Sequence, residues 1–324
     1  MPNRIPFARP LLLAAAFAAL ALTRCSDDDD DPTPPQDKNI AQVITDRDDF
    51  STLEAAMVKG DMTATLSGAG PMTLFAPDNA AFDAAGITTT VLTAMSVDEV
   101  ENMLQYHLLG SRIDAASLPA GPNAKVLTAQ GDSLWVTRNA NGTYVNGSLV
   151  EEADIAATNG LLHRIGYALV PPSGDMVEVV QTPDNGLDSL AKALQRANDA
   201  PGGNPDLINT LKASVFTVFA PSNAAFTELL TGLGVTDIND IPVANLLGVL
   251  GYHVVPGRSF SSDLSNGALT MYAGGTTTVN LSDGINGGPT ITGTGNTGNK
   301  SNITKVNWVA TNGVIHVIDR VLLP

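Results

Sequence analysis

Residues 73–82 read TLFAPDNAAF, and residues 217–226 read TVFAPSNAAF. Eight of the ten positions are identical; the two changes are Leu74 to Val218 and Asp78 to Ser222. A repeat of this quality marks a duplicated module, and each copy has to build its own core. Each copy is an apolar run stopped at a proline, followed by a polar residue and then alanines. That order predicts a buried strand turning directly into a helix. Asp78 and Ser222 are both N-cap residues, since an oxygen on either side chain accepts from the free N–H groups of a first helical turn. The substitution therefore keeps a physical role.

The duplication extends to the module ends. Residues 157–171, ATNGLLHRIGYALVP, match residues 310–324, ATNGVIHVIDRVLLP, at eight of fifteen positions. The module edge then lies just after this strand, which predicts domains at 40–172 and 173–324. The junction PPSG at 171–174 is too short for a floppy linker, so the domains are expected to touch and to hold a limited range of orientations. In module one, residues 46–59 place Phe50, Leu53, Ala56 and Met57 at helical spacing, with Asp48 or Asp49 available as the cap; residues 187–197 are their counterpart. A second amphipathic segment, 97–109, ends in Tyr106–His107, and its counterpart 243–254 ends in Tyr252–His253. Residues 125–129, 133–138, 144–146 and 161–170 alternate or run β-branched, with a hairpin turn at 139–142. Helices first and strands second predict an α+β domain. His107 to His163 spans 56 positions and His253 to His316 spans 63. The seven extra residues fall in the Gly-, Thr- and Asn-rich stretch 274–300, where a longer, mobile loop is expected.

Residues 1–24 stand apart. Arg4 and Arg9 precede a twelve-residue apolar run at 11–22, too short to span a bilayer but suited to an export signal. Cys25, the only cysteine, follows directly, so no intramolecular disulfide is possible. Its place resembles the lipid-acceptor cysteine of bacterial lipoproteins, although Arg24 stands where those carry a small residue. The run Asp27–Asp31 lacks the spacing and glycine of a calcium loop. With Pro32, Pro34 and Pro35 it reads as a solvated tether over residues 25–39. It also resembles the acidic signals that carry some lipoproteins to the outer face of the outer membrane. Removing residues 1–24 takes three arginines and no acid from a formal charge of −16, leaving −19. Such a surface repels phosphate backbones and anionic lipid, so nucleic acid is not an expected partner and membrane attachment is expected only through a lipid on Cys25.

FAPDNAAF and FAPSNAAF, the two Tyr–His pairs and the ATNG…H…I…L-P endings resemble the fasciclin (FAS1) domain, in family order and in both modules. The resemblance covers about residue 40 to 324. It implies a β-sheet wedge with helices packed on one side, and an adhesion or matrix-contact role in secreted or membrane-anchored proteins. Carried over, the family's contact regions fall on Tyr106–His107 and on Asp154–Ile155; module two has Asn307–Trp308 at the latter place, without the carboxylate. Partner contact is therefore expected at Asp154, Ile155, Tyr106, His107 and Trp308.

The four histidines sit at matching places in the two modules, and paired histidines can bind metal or act as acid and base. Their separations are no metal signature, however, and each lies in an apolar strand or helix end. His163, His253, His316 and Tyr252 are expected to be structural, as are Asn79 and Asn223, which should tie backbone groups of a neighbouring loop. No serine stands in a nucleophile elbow, and the glycine-rich stretch lacks the lysine and helix of a phosphate loop. The chain is thus expected to be a non-catalytic surface interaction protein without cofactor, exported and anchored in the envelope, that binds extracellular or cell-surface protein or glycan. The alternative is a polysaccharide-binding module using residues 274–300 and Trp308, with Trp308 stacking on a sugar ring.

Overall fold

The computed structural model describes residues 38–324; the expected export signal, Cys25 and nearly all of the acidic tether lie outside them. Each module is built around its FAP strand. In module one this is β1 (Met72–Pro77), and the others are β2 (Leu108–Leu109), β3 (Ala124–Leu127), β4 (Ser133–Asn139), β5 (Gly142–Val145), β6 (Ser148–Ala157) and β7 (Gly160–Ile165). They form one seven-stranded sheet in the order β2-β1-β7-β6-β5-β4-β3. Module two repeats it with β8 (Phe216–Pro221), β9 (Val254–Pro256), β10 (Gly267–Thr270), β11 (Thr276–Asn280), β12 (Thr290–Gly293), β13 (Ser301–Ala310) and β14 (Gly313–Ile318), in the order β10-β11-β12-β13-β14-β8-β9. β1 and β7 pair in parallel, as do β8 and β14; all other pairs are antiparallel.

Every residue of β1 and β8 is buried, because the strand separates two apolar layers. Leu74 and Ala76 face a core built with the helices, while Phe75 faces a second core with Tyr106, Leu134, Val136 and Val145. In module two Val218 and Ala220 face the helices, and Phe219 faces Tyr252, Val279 and Ile291. Period-two alternation thus holds, but with both faces apolar it reads in sequence as an unbroken apolar run. The chain then enters the helices Asn79–Ala84 and Asn223–Leu233, where Asp78 accepts from the Ala81 N–H at 2.8 Å and Ser222 from the Ala225 N–H at 3.2 Å.

Two details depart from expectation. The helix expected over 46–59 is a 3-10 turn, Asp48–Phe50, followed by the helix Ser51–Lys59, so neither aspartate caps it. The long strand β6 has no alternating apolar pattern, because beyond Leu149 it pairs only with β7 and leaves its other edge free. The extra length of module two lies within residues 274–300: the cross-strand pairs Asn139–Gly142 and Val145–Ser148 each span a two-residue turn, whereas Asn280–Thr290 spans nine and Ile291–Ser301, in the turn before β13, also spans nine. That turn is pinned at its middle. Asn296 donates to the Val321 carbonyl at 2.9 Å and accepts from the Leu323 N–H at 2.9 Å.

Candidate interaction surface

The motif residues point inward. His107 and His253 cap the helices Val97–Tyr106 and Val243–Gly251 from below: Nδ1 donates to Met103 O at 2.8 Å and to Val249 O at 2.7 Å. Each Nε2 accepts from the last segment of its module, Leu169 N–H at 2.9 Å and Leu322 N–H at 2.8 Å. His163 and His316 are bonded in the opposite sense. Nδ1 accepts from the backbone of Asp154 at 3.1 Å and of Asn307 at 3.3 Å, and Nε2 donates to Ile113 O at 2.9 Å and Ser259 O at 3.0 Å. Backbone partners therefore fix each tautomer and occupy both nitrogens of each ring. Burial holds His107, His253 and His316 down at about 4, against the opposing pull of their backbone acceptors.

Tyr106 and His107 have no accessible surface. They are not part of a contact surface in this fold, which corrects the expectation for both. The Tyr106 hydroxyl donates to Ser133 O at 3.1 Å and accepts from Asn146 Nδ2 at 3.0 Å; the Tyr252 hydroxyl donates to Thr276 O and accepts from the Thr294 N–H at 3.2 Å. Asn79 ties down the start of the preceding helix, accepting from Thr52 N–H at 2.8 Å and donating to Asp48 O at 2.9 Å. Asn223 does the same at Ser189 N–H and the Asp188 carboxylate.

Asn159 and Asn312, in the TNG turns, were not singled out by the sequence reading although they recur in both copies. Asn159 accepts from Ile40 N–H and donates to Leu66 O and Gly68 O; Asn312 accepts from Met176 N–H and donates to Leu211 O and Lys212 O. Each is the knot between the first helices of its module and the FAP strand. The glycine that follows is forced by space, since a Cβ at Gly160 or Gly313 would lie 2.2 Å from the carbonyl oxygen of Met72 or Phe216.

Asp154 and Asn307 occupy one position in the two copies, each at a bulge with φ near +60°. Each side chain accepts from a loop amide, Ala115 N–H at 2.9 Å and Ser261 N–H at 2.7 Å. Asp154 remains exposed and Ile155 half-buried against the helix-side core. Asn307 instead faces module one, where a Cβ on Gly147 would meet its side chain at 2.4 Å.

The two modules are joined by a specific interface. The Arg258 guanidinium lies 3.7 Å over the Trp135 ring, and Phe260 packs beside the same indole with centroids 6.3 Å apart. Asn123 Nδ2 donates to Arg258 O at 2.7 Å, Thr137 Oγ1 to Asp263 Oδ1 at 3.0 Å and Asn139 Nδ2 to Ser262 O at 3.2 Å. Arg258 is also held from its own side by the Gly313, Ala310 and Thr311 carbonyls. Burial lowers it to about 10, which leaves it charged at neutral pH. Beside this contact lies a cleft of about 310 Å³ between the free edge of β13 (residues 305–309) and module one, where Tyr167, Val170 and the end of the helix Asn79–Ala84 form the wall. Trp308 lies in this cleft, half-buried against the helix-side core of its own module. The turn 292–300 lines a different groove, so the structure does not bring together the two elements of the glycan alternative.

The fasciclin domain family matches residues 48–171 and 188–324. The chain belongs to the fasciclin domain family. Its two fasciclin domains stand in tandem, each α+β with one seven-stranded sheet. Protein sll1483 of Synechocystis is 35% identical over 135 residues, 41% of this chain and 73% of that protein. Transforming growth factor-beta-induced protein ig-h3 of Sus scrofa is 36% identical over 141 residues, 44% of this chain but 20% of its own length. Human periostin is 26% identical over 265 residues, 80% of this chain and 29% of periostin. The chain thus spans only a minor part of the two animal relatives. A solved FAS1 domain pair from the insect cell adhesion molecule fasciclin I aligns with 85% of this chain and 97% of that one, at 20% identity and a TM-score of 0.40.

Proposed function

We propose that this protein is a non-catalytic interaction protein of the cell envelope that presents two joined fasciclin domains to extracellular or cell-surface protein partners. The observation that carries this reading is the internal use of the shared chemistry. Both nitrogens of all four histidines, both motif tyrosines and the paired asparagines are bonded within their own module. Residues so engaged build a scaffold, and specificity is left to exposed positions where the modules differ, such as Asp154 and the turn 292–300. Among the described residues no helix is long and apolar enough to cross a membrane. Attachment in this reading comes from a lipid on Cys25, which would hold the domain pair at the outer membrane.

The test is cross-linking on intact cells followed by affinity isolation and mass spectrometry. A recurrent surface protein on the domain pair, together with a diacylglyceryl adduct on the peptide that begins at Cys25, is the expected result. A soluble, unmodified protein without surface partners would overturn the reading.

A further inference from the structure

The cleft between the modules has a counterpart that no other described element fills. In module one its wall is the end of the helix Asn79–Ala84, the turn at Asn146 and residues 167–170. In module two the matching elements are the helix Asn223–Leu233, the turn 292–300 and residues 320–323, which enclose a groove of about 640 Å³. The correspondence is residue by residue. Ala84 and Ala85 answer to Glu228 and Leu229 by their distance from the shared Phe82 and Phe226. Tyr167 and Val170 answer to Arg320 and Leu323 by the repeat of the module ends. Ser148 donates to Tyr167 O as Ser301 does to Arg320 O, both at 3.1 Å.

The first groove is closed by the free edge of β13, residues 305–309 of the neighbouring module. The matching edge in module one is residues 152–156 of β6, which carry the same bulge and the same positive φ. Among the described residues this edge also lacks a strand partner, and Ala153, Asp154 and Ala156 are exposed. The described residues therefore carry both an open groove, on module two, and, on module one, the strand edge that in its sister module closes such a groove. We infer that a second copy of this chain docks its β6 edge into the module-two groove, repeating between molecules the edge-in-groove part of the contact that joins the modules within one.

The charges change in step. The filled groove pairs a strand carrying Lys305 with a wall carrying Tyr167; the open pair has Glu152 on the strand and Arg320 on the wall. Each is already ion-paired in its own module, Glu152 with Arg47 and Arg320 with Glu228, yet both side chains keep solvent exposure of 44% and 32%. A groove at one end and its ligand edge at the other make a head-to-tail contact, which adds copies in a row instead of closing a symmetric dimer. This inference goes beyond the proposed function and does not depend on which partner the protein binds.

Two variants test it without touching the cores. A Cβ on Gly232, in the groove wall, meets nothing within 4 Å, so Gly232→Trp obstructs the groove; Ala153→Arg obstructs the edge. Sedimentation velocity at protein concentrations up to ~1 mM, the range of weak contacts, should show the protein growing past the dimer. Each variant, at unchanged melting temperature, should associate at least tenfold more weakly. An equimolar mixture of the two should form dimers and nothing larger, because each molecule retains one competent surface. A protein that stays monomeric throughout, or variants that associate as the parent does, would overturn the inference. So would a groove variant that loses capture of a protein or glycan while its self-association is intact.

Discussion

Lowering the pH from 7 to 5 should cost this protein several kcal/mol of stability through its buried histidines. His107, His253 and His316 titrate at about 4 in the folded chain, against about 6.5 when unfolded. A histidine whose folded value is depressed binds its proton more readily when the chain is unfolded. Its contribution is therefore intact above about pH 6.5 and is lost as the pH falls towards 4. At pH 5 the gap exposed is about 1.5 units, or about 2 kcal/mol for each histidine and about 6 kcal/mol for the three. That is comparable with the whole stability of an ordinary domain, about 5–15 kcal/mol. The carboxylates act in the same direction but in a lower window. The Arg47 guanidinium holds Asp49 and Glu152 below the usual carboxylate range, so their contribution is lost only at still lower pH. Relief of the acidic surface's self-repulsion also falls mostly below pH 5. Urea unfolding at pH 7.5 and pH 5.0, followed by tryptophan fluorescence, measures the difference. A midpoint that falls steeply between the two, with unchanged slope, is expected. A midpoint flat across this range would refute the neutral, saturated state of the rings.

Three further outcomes follow from the same contacts. Trp135→Ala removes the platform under Arg258 and should cost about 2–3 kcal/mol, less than the about 3–5 kcal/mol of a fully buried tryptophan; calorimetry should then resolve two transitions, one for each module, where the parent shows one. Gly313→Ala drives a methyl group into the Phe216 carbonyl and should cost about 3 kcal/mol or abolish folding, whereas Gly232→Ala, in open space on a helix, should be neutral or gain up to about 1 kcal/mol in thermal denaturation. Asn312→Ala leaves the Met176 N–H and the Leu211 and Lys212 carbonyls without their partner and should lower stability by about 2–3 kcal/mol, read from denaturant midpoints.

The fold was legible wherever the two copies agree. The FAP strand, its cap and the two amphipathic segments show their roles because a strand between two cores and a helix on one core leave distinct apolar patterns. β6 was not legible. Its outer half, Glu151–Glu152–Ala153–Asp154, has a free edge and meets Arg47 and Arg164 instead of a core, so no hydrophobic period marks it. Tyr106 and His107 were expected at a surface because the resemblance placed contact there; their apolar neighbours, Met103 and Leu104 before and Leu108 and Leu109 after, already pointed inward. The module interface left no trace in either copy alone. Trp135 and Arg258 belong to different modules, and only the folded chain shows that one lies over the other.

Binding measured on two kinds of variant tests the central claim that shared motifs hold the fold while diverged surfaces bind. The protein isolated with its envelope partner is compared with Asn79→Ala, in the shared scaffold, and with a variant whose turn 292–300 is shortened and whose Asp154 is replaced by alanine. Affinity per folded molecule should survive Asn79→Ala, which should instead lower the melting temperature, and should be lost in the surface variant. An Asn79→Ala protein of unchanged melting temperature that no longer binds would contradict the account.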